Sequence, residues 1–296
     1  GGDGRLSIAD WIQVGRFVSG LDTPVDGTEF RKADCAPLAS RGDGRLTVSD
    51  WVQAGRYIAG LDPRLPVAGP PQLSLSPAHP VPALSGGAAR LIRTPSVSGF
   101  AGDLLDVPVL LDAQGDESAV GFSISFDPAA LVLEAATPGE DLEGGSIQVN
   151  RTLAAVGEIG CAVALANGAH FAAGEHRLLH LKLRVASTQA GIIPLEFADT
   201  PVVREVASPL ASAIPANFVA GAVTQVGNPP TLRVSFGASA GLRFEWARSS
   251  LPLVLEESPD LSPGHWTAVD VQAVEAGGGM QADVPVGTGI RFFRLR

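Results

Sequence analysis

Apolar positions along the chain follow two different periods. In the first 62 residues they fall at helical spacing, at Trp11, Val14, Phe17 and Val18 and again at Trp51, Ala54, Tyr57 and Ile58. That spacing predicts two short amphipathic helices, stopped by Gly20 and Gly60, with Pro63 after the second. From Leu91 and Ile92 onward the pattern changes to short strand-like runs split by turn residues. The clearest are Leu105–Leu111, Gly121–Phe126, Leu131–Leu133, Ile159–Leu165, Leu178–Val185, Ile192–Phe197 and Phe218–Val226. Many short strands with few helical stretches predict a β-sandwich. Further runs, Leu232–Phe236, Leu242–Trp246, Leu253–Glu256, Trp266–Val269 and Ile290–Arg296, predict a small all-β unit at the C-terminal side. The expected organisation is a helical segment over 1–66, a Pro/Gly/Ser linker over 67–87, a sandwich over 88–226 and a small β domain over 228–296.

The helical segment is an internal repeat. Residues 2–22 read GDGRLSIADWIQVGRFVSGLD and residues 42–62 read GDGRLTVSDWVQAGRYIAGLD, with thirteen of twenty-one positions identical at a period of 40. Each copy is a loop running into a helix, and the loop has the layout of a calcium site. An EF-type loop takes side-chain oxygens at positions 1, 3 and 5, a backbone carbonyl at 7 and an acidic residue at 12, with Gly at 6 for the turn. With Gly4 and Gly44 at position 6, Asp3 and Asp43 fall at 5, the Arg5 and Arg45 carbonyls at 7, and Asp10 and Asp50 at 12. In the second loop positions 1 and 3 are Ala39 and Arg41, which carry no carboxylate, and an insertion would make Asp34 the first ligand. The chain opens inside the first loop, so further ligands and an export signal are expected upstream of Gly1. A Gly-Asp-Gly turn without metal is the plain alternative, and the duplication together with the acidic twelfth position weighs against it.

This pattern resembles a dockerin, over residues 1–62. Dockerins are paired half-EF-hands with Asp at position 12, as Asp10 and Asp50 are here. The resemblance implies calcium-dependent folding and binding to a cohesin. The missing side-chain ligands at positions 1 and 3 are a departure from the family's pattern that bears on affinity.

Residues 88–226 in turn look like a cohesin. The matching pieces are Gly102-Asp103 leading into Val107-Pro108-Val109, Ser123-Ile-Ser-Phe126-Asp127-Pro128 followed by Leu131, Phe171-Ala-Ala-Gly174 before an alternating strand, and Pro215-Ala-Asn217-Phe218-Val-Ala-Gly221. The resemblance implies a jelly-roll β-sandwich, one flat face of which receives the dockerin. If Phe122, Ile124 and Phe126 point inward, Gly121, Ser123 and Ser125 point out. If Ile159, Cys161, Val163 and Leu165 point inward, Gly160, Ala162 and Ala164 point out. Side by side, as the family implies, these two strands would present a plateau without side-chain relief. Ala119 and Gly121 stand where cohesins often carry polar recognition residues. On the helical side, Gly15 and Gly55 would allow close approach, and Arg16 and Arg56 could pair with acidic groups around the plateau. The final segment resembles a short C-terminal domain of secreted proteins of environmental bacteria, ending in the same Phe-Phe-Arg-Leu pattern. The fold class expected is mainly β: a small α dockerin-like paired half-EF-hand, a cohesin-like jelly roll, then a small all-β domain.

Charge narrows the partners. The net charge is −10, and residues 73–226 carry seven Lys/Arg against fifteen Asp/Glu, while residues 1–66 carry eight against nine. Phosphate backbones would be repelled, which disfavours nucleic acid. Calcium and a protein surface fit better. There is no apolar run long enough to cross a membrane as a helix. Two cysteines, Cys35 and Cys161, form no framework. Cys161 reads as a small buried hydrophobe, Cys35 reads as free, and a disulfide between them is the lesser reading.

Catalytic readings are weak. Gly237-Ala-Ser239-Ala-Gly241 matches a nucleophile elbow in letters, but strand-like segments flank it on both sides and only His265 follows. His176 and His180 share a strand face without a third ligand nearby. Glu140, Asp141 and Glu143 read as a solvated acidic turn. Asn150-Arg151-Thr152 is a glycosylation sequon. The leading expectation is a non-catalytic, secreted assembly protein in which the repeat of one copy docks on the sandwich of the next, giving head-to-tail filaments. An adaptor tethering an upstream catalytic region to a scaffold is the alternative. A carbohydrate-binding module is disfavoured, because Trp11, Trp51 and Tyr57 already belong to the repeat helices.

Overall fold

The structure is a computed structural model, and it describes residues 6–70, 90–142, 144–166, 168–237 and 241–296. Asp3, Arg5, Glu143, Ser239 and most of the expected linker lie outside the described residues. Two compact units emerge. The first comprises Gly1–Val97, Gly102–Ser187 and Ile192–Thr224; the second comprises Gln225–Arg296 with Ser98–Ala101 and Thr188–Gly191.

In the first unit three helices precede the sandwich: α1 (Ile8–Val18), α2 (Gly27–Ala33) and α3 (Val48–Ile58). The two repeat helices start in the same way. The carboxylate of Asp10 accepts the Ser7 N–H at 2.8 Å, and that of Asp50 accepts the Thr47 N–H at 2.9 Å, which closes a capping box on each. Both end at a left-handed glycine, Gly20 and Gly60. Leu21 donates to the Arg16 carbonyl and Leu61 to the Arg56 carbonyl, a Schellman turn in each copy. The helices cross through their tryptophans, with ring centroids 5.3 Å apart and Trp11 Nε1 donating to the Trp51 carbonyl at 3.0 Å. A Cβ on Gly15 would stand inside the Trp51 indole, and one on Gly55 would come within 3.1 Å of Trp11 Nε1. These glycines therefore admit each other's tryptophan rather than a sheet. α2, between the copies, is capped by Asp26 and has no counterpart in the apolar pattern.

Among the described residues the sandwich contains thirteen strands. In chain order they are β1 (Leu91–Arg93), β2 (Val97–Gly99), β3 (Leu104–Ala113), β4 (Ala119–Ser125), β5 (Leu131–Pro138), β6 (Gly145–Asn150) and β7 (Glu158–Leu165). β8 (Gly174–Val185), β9 (Gly191–Ala198), β10 (Glu205–Ala207), β11 (Ala213–Ile214), β12 (Asn217–Val219) and β13 (Gly221–Gln225) follow. One sheet runs β12-β1-β3-β8-β5. The other is built on β4, which pairs with β7 on one edge and with β10 and β9 on the other. Phe122, Ile124, Ile159, Cys161 and Val163 meet Leu111, Leu179, Leu181 and Leu183 in the core between the sheets. The run Phe218–Val226, a single strand by its pattern, divides between both sheets as β12 and β13, turning where Gly221 donates to Thr94 Oγ1. Buried Arg90 ties Glu117 and Asp116 to the Pro215 carbonyl and closes one end.

The second unit holds β14 (Arg233–Phe236), β15 (Gly241–Ala247), β16 (Leu255–Ser258), β17 (Thr267–Ala268), β18 (Val274–Ala276), β19 (Gly279–Pro285) and β20 (Phe292–Leu295). A four-stranded sheet, β14-β15-β19-β18, and a three-stranded one, β17-β16-β20, share a core of Phe244, Trp246, Leu255, Ala282 and Val284. The protein is thus mainly β, with a small helical part ahead of a jelly-roll-like sandwich and a small all-β unit after it.

Candidate docking site

An antiparallel strand with one solvated face alternates buried and exposed residues. β4 and β7 do not: both faces are covered along nearly their whole length. Their inward residues fill the sandwich core. Their outward residues Ala119, Ala162 and Ala164 belong to a second apolar cluster with Trp11, Val14, Val48, Trp51, Val52 and Ala54 of the repeat and with Val202, Ala207 and Ala211. α3 lies on this face, against β4, β7 and β10. Gly121 leaves room for this contact, since a Cβ there would be 2.9 Å from the Val203 carbonyl and 3.1 Å from Val48 Cγ1. The effect of the seat shows in the repeat itself. Val48 of α3 is 1% exposed, whereas Ile8, its counterpart in α1, is 58% exposed. Burying one such aliphatic side chain contributes about 1.5–3 kcal/mol at full burial.

Polar groups frame the seat. Glu205 of β10 accepts Ser49 Oγ at 2.6 Å and the Ser49 N–H at 3.2 Å, at the first turn of α3. Burial pushes the Glu205 carboxyl above its usual range, while these donors draw it back. Arg56 donates to the Pro209 carbonyl at 2.6 Å and Asn150 Nδ2 donates to the Ser19 carbonyl at 2.8 Å. The sequon amide is therefore consumed in this contact, with Asn150 Oδ1 accepting from Thr152.

Of the other residues expected at the plateau, Ser123 exchanges hydrogen bonds of 2.8 Å with the Val202 backbone, and Gly160 lies under Pro201 and Val202. That loop, not the helix, covers them; Ser125 is half-buried at the strand end. The arginines take their carboxylates from within the repeat. Arg16 pairs with Asp22 and Arg56 with Asp62, each at 2.7 Å, because the Gly-Leu-Asp turn brings that Asp back onto the helix.

The second loop gathers the remaining acidic residues. Asp34, buried, accepts the Asp43 and Gly44 N–H groups at 2.9 and 2.8 Å. Asp50, also buried, accepts Cys35 and Ala36 N–H at 2.7 and 2.8 Å in addition to Thr47. Burial pushes Asp34 up to about 6 and Asp50 well above the carboxylate range; the Asp43 charge adds to the rise of Asp34, and the Asp34 charge to that of Asp50. Asp43 Oδ1 accepts the Arg45 N–H at 2.9 Å. Two buried carboxylates with no ion pair to a cationic side chain among the described residues, and a third at the rim, suit calcium in their chemistry. Their number is short of a full set: among the described residues no three His, Cys, Asp or Glu side chains converge as a metal group.

Elsewhere, β14 and β15 flank residues 237–241 as an antiparallel hairpin, which lacks the helix a nucleophile elbow needs. His180 lies between Asp106 at 3.0 Å and Glu140 at 3.1 Å, His176 hydrogen-bonds the Ala172 carbonyl, and Asp141 accepts the Arg177 N–H. Cys35 and Cys161 are both free thiols. No described helix is long and apolar enough to cross a membrane.

Glu205, Asn150 and Pro209 are the docking residues that sequence patterning missed. β10 has three residues, too few for a periodic signal, and Glu205 meets Ser49 across 156 positions of chain.

No protein-family model matches the chain, and no curated protein matches it. Part of the chain is similar to solved cohesins. A non-cellulosomal cohesin from the archaeon Archaeoglobus fulgidus is 17% identical, over 47% of this chain and 93% of its own, with a TM-score of 0.40. A type I cohesin–dockerin complex from Clostridium thermocellum is 17% identical, over 47% and 99%, with a TM-score of 0.40. A cohesin from Clostridium acetobutylicum is 20% identical, over 46% and 92%, with a TM-score of 0.37. At these values the likeness is to part of the chain, and nothing about its activity follows from it.

Proposed function

We propose that this chain is a non-catalytic, extracellular assembly protein whose helical repeat and β-sandwich form a calcium-dependent recognition pair of the dockerin–cohesin kind, closed within one chain. The observation that carries this reading is the burial of Val48 on Gly121 while Ile8, its repeat counterpart, stays exposed. A small-residue sheet face and a duplicated loop–helix unit are the two halves expected of such a pair, and here one covers the other. Calcium would be held by Asp34, Asp43, Asp50 and the Arg45 carbonyl in the second loop, and by Asp3, Asp10 and the Arg5 carbonyl in the first. Bound there, it would supply positive charge to the buried carboxylates.

The same contact made between copies would give head-to-tail assemblies. That second reading is favoured by the self-complementary character of a chain that carries both faces, and it requires the seat to be vacated first. Sedimentation velocity of the full chain over a dilution series, with calcium or with chelator, tests both. A compact monomer at every concentration is expected for closure within the chain. Growth in size with concentration would support exchange between copies. An extended monomer in both conditions would overturn the pairing.

A further inference from the structure

The helical segment contains a cavity of about 730 Å³. α1 contributes Val14 and Phe17 to it, α3 contributes Ala54 and Tyr57, and Leu65 comes from the chain beyond α3. A space of this size takes a drug-sized ligand, held by apolar side chains and oriented by a few polar ones. The polar groups of the lining differ in what they already hold. Its four carboxylates are engaged by backbone donors. Asp10 accepts the Ser7 N–H, and Asp34 accepts those of Asp43 and Gly44. Asp26 accepts the Thr28 and Glu29 N–H groups at 2.7 and 2.8 Å, and Glu29 accepts that of Val25 at 2.6 Å. Its four bases, Arg31, Lys32, Arg41 and Arg64, have no ion pair among the described residues. Arg31 donates to the Gly27 carbonyl at 3.2 Å and Arg41 to the Pro66 carbonyl at 3.3 Å. One carbonyl takes up only part of what a guanidinium can donate.

We infer that this cavity is a binding site for a small organic anion with an apolar body, an aromatic carboxylate being the type. The body would lie against Phe17, Tyr57 and Leu65, and the anionic group would be drawn to the unpaired bases. Arginine suits that task, because its planar fork meets a carboxylate in two parallel hydrogen bonds. The duplication does not explain these bases. None of the four lies in residues 2–22 or 42–62, the stretches that repeat. Arg31 and Lys32 come from α2, Arg41 from the end of the inter-repeat segment and Arg64 from the chain after α3. Arg41 also joins two of these parts, since its carbonyl accepts the Gly69 N–H at 3.0 Å while its guanidinium holds Pro66. The calcium-loop pattern and the crossing of α1 with α3 account for the repeated residues, and neither calls for four bases at one cavity. The docking reading uses none of the four, so the two inferences stand or fall separately.

The test uses the full chain at fixed calcium with anilinonaphthalene sulfonate, an aromatic anion that fluoresces in apolar surroundings. Cys35 lines the same cavity and is a free thiol, so its alkylation rate, followed peptide by peptide, reports where the probe sits. One saturable site is expected, with Cys35 alkylated more slowly when it is filled. Naphthoate should compete for the site, and naphthalenemethanol, its neutral analogue, should not. Lys32→Glu and Arg64→Glu, both at exposed positions, should together weaken the probe by at least about tenfold. Arg233→Glu, exposed and outside the cavity, should leave its affinity unchanged. Arg64→Gln, outside any helix, should weaken it in the same direction without reversing a charge beside α2. No saturable binding, an affinity indifferent to Lys32→Glu with Arg64→Glu and to Arg64→Gln, or a Cys35 rate unmoved by bound probe would overturn the inference. Equal competition by the neutral alcohol would overturn it too, because the cavity would then accept shape without reading charge.

Discussion

Val48 and Ile8 hold the same place in two copies of one repeat, yet Val48 is 1% exposed against Gly121 and Ile8 is 58% exposed. Both helices carry a capping box and cross through the same tryptophans, although only Thr47 adds a side-chain cap to Ser49 N–H. The difference is made by the sheet face beneath α3. A charged side chain on that face should therefore separate the repeat from the sandwich. Ala162 points away from the sandwich core and into the docked cluster. Ala162→Arg would bury an unpaired guanidinium, which costs several kcal/mol, on the order of 3–5, and lifting α3 avoids that cost. In calorimetric melting the repeat is expected to unfold in its own earlier transition while the sandwich transition persists. A profile identical to the native one would count against the seat.

The two arginine–aspartate pairs are identical in sequence and differ in surroundings. Arg56 and Asp62 are nearly buried beside the sandwich, whereas Arg16 and Asp22 are only half-buried. Asp62→Asn leaves Arg56 without its bidentate partner and is expected to cost about 1–3 kcal/mol. Asp22→Asn is expected to leave the melting temperature almost unchanged, because a solvent-accessible pair contributes little. Equal losses would show that Arg56 is not held against the sandwich.

Calcium is separated from the fold most cleanly at Asp43. Its carboxylate makes one local bond to the Arg45 N–H, whereas Asp34 and Asp50 also pin the loop through backbone amides. The native chain is expected to melt higher on addition of calcium, and Asp43→Ala should diminish that rise without changing the metal-free melting temperature. Asp50→Asn should lower the metal-free value as well, because an amide nitrogen would face N–H donors. No calcium-induced rise at millimolar concentration would exclude the metal from the second loop.

His180 reports on the opposite sheet. Its hydrogen bond to Glu140, followed by the bond to Asp106, raises its imidazole above the ordinary 6.5. A histidine raised in the folded state stabilises it fully below 6.5, and the contribution fades as pH rises through the higher folded midpoint. Titration of the imidazole by NMR should give a midpoint above 6.5, and Glu140→Gln or Asp106→Asn should lower it. A native midpoint at or below 6.5 would contradict this arrangement.

Periodicity made the repeat legible because both helices carry an unbroken apolar stripe, and alternation did the same for β4, β7 and β8. The inward and outward sets of β4 and β7 follow from the pleat alone. What periodicity could not supply was long-range and local at once. β6 and β10 are short, and the turn at Gly221 splits one apolar run between two sheets. α2 has seven residues and depends on the Asp26 cap. Gly15 and Gly55 signal close approach in the sequence, but only the crossing of α1 and α3 shows that tryptophan fills the space. The acidic twelfth position likewise carries two meanings, since Asp10 and Asp50 are capping-box acceptors as well as candidate ligands.

α3 sits on the β4–β7 face of its own chain. The alkylation rate of a Val52→Cys chain, followed by mass spectrometry over a hundredfold dilution with sedimentation on the same samples, distinguishes this from docking between copies. Slow labelling that does not change with dilution, in a species that sediments as a monomer, is the expected result. Rapid labelling at every concentration, or protection that disappears as the protein is diluted, would contradict closure within the chain.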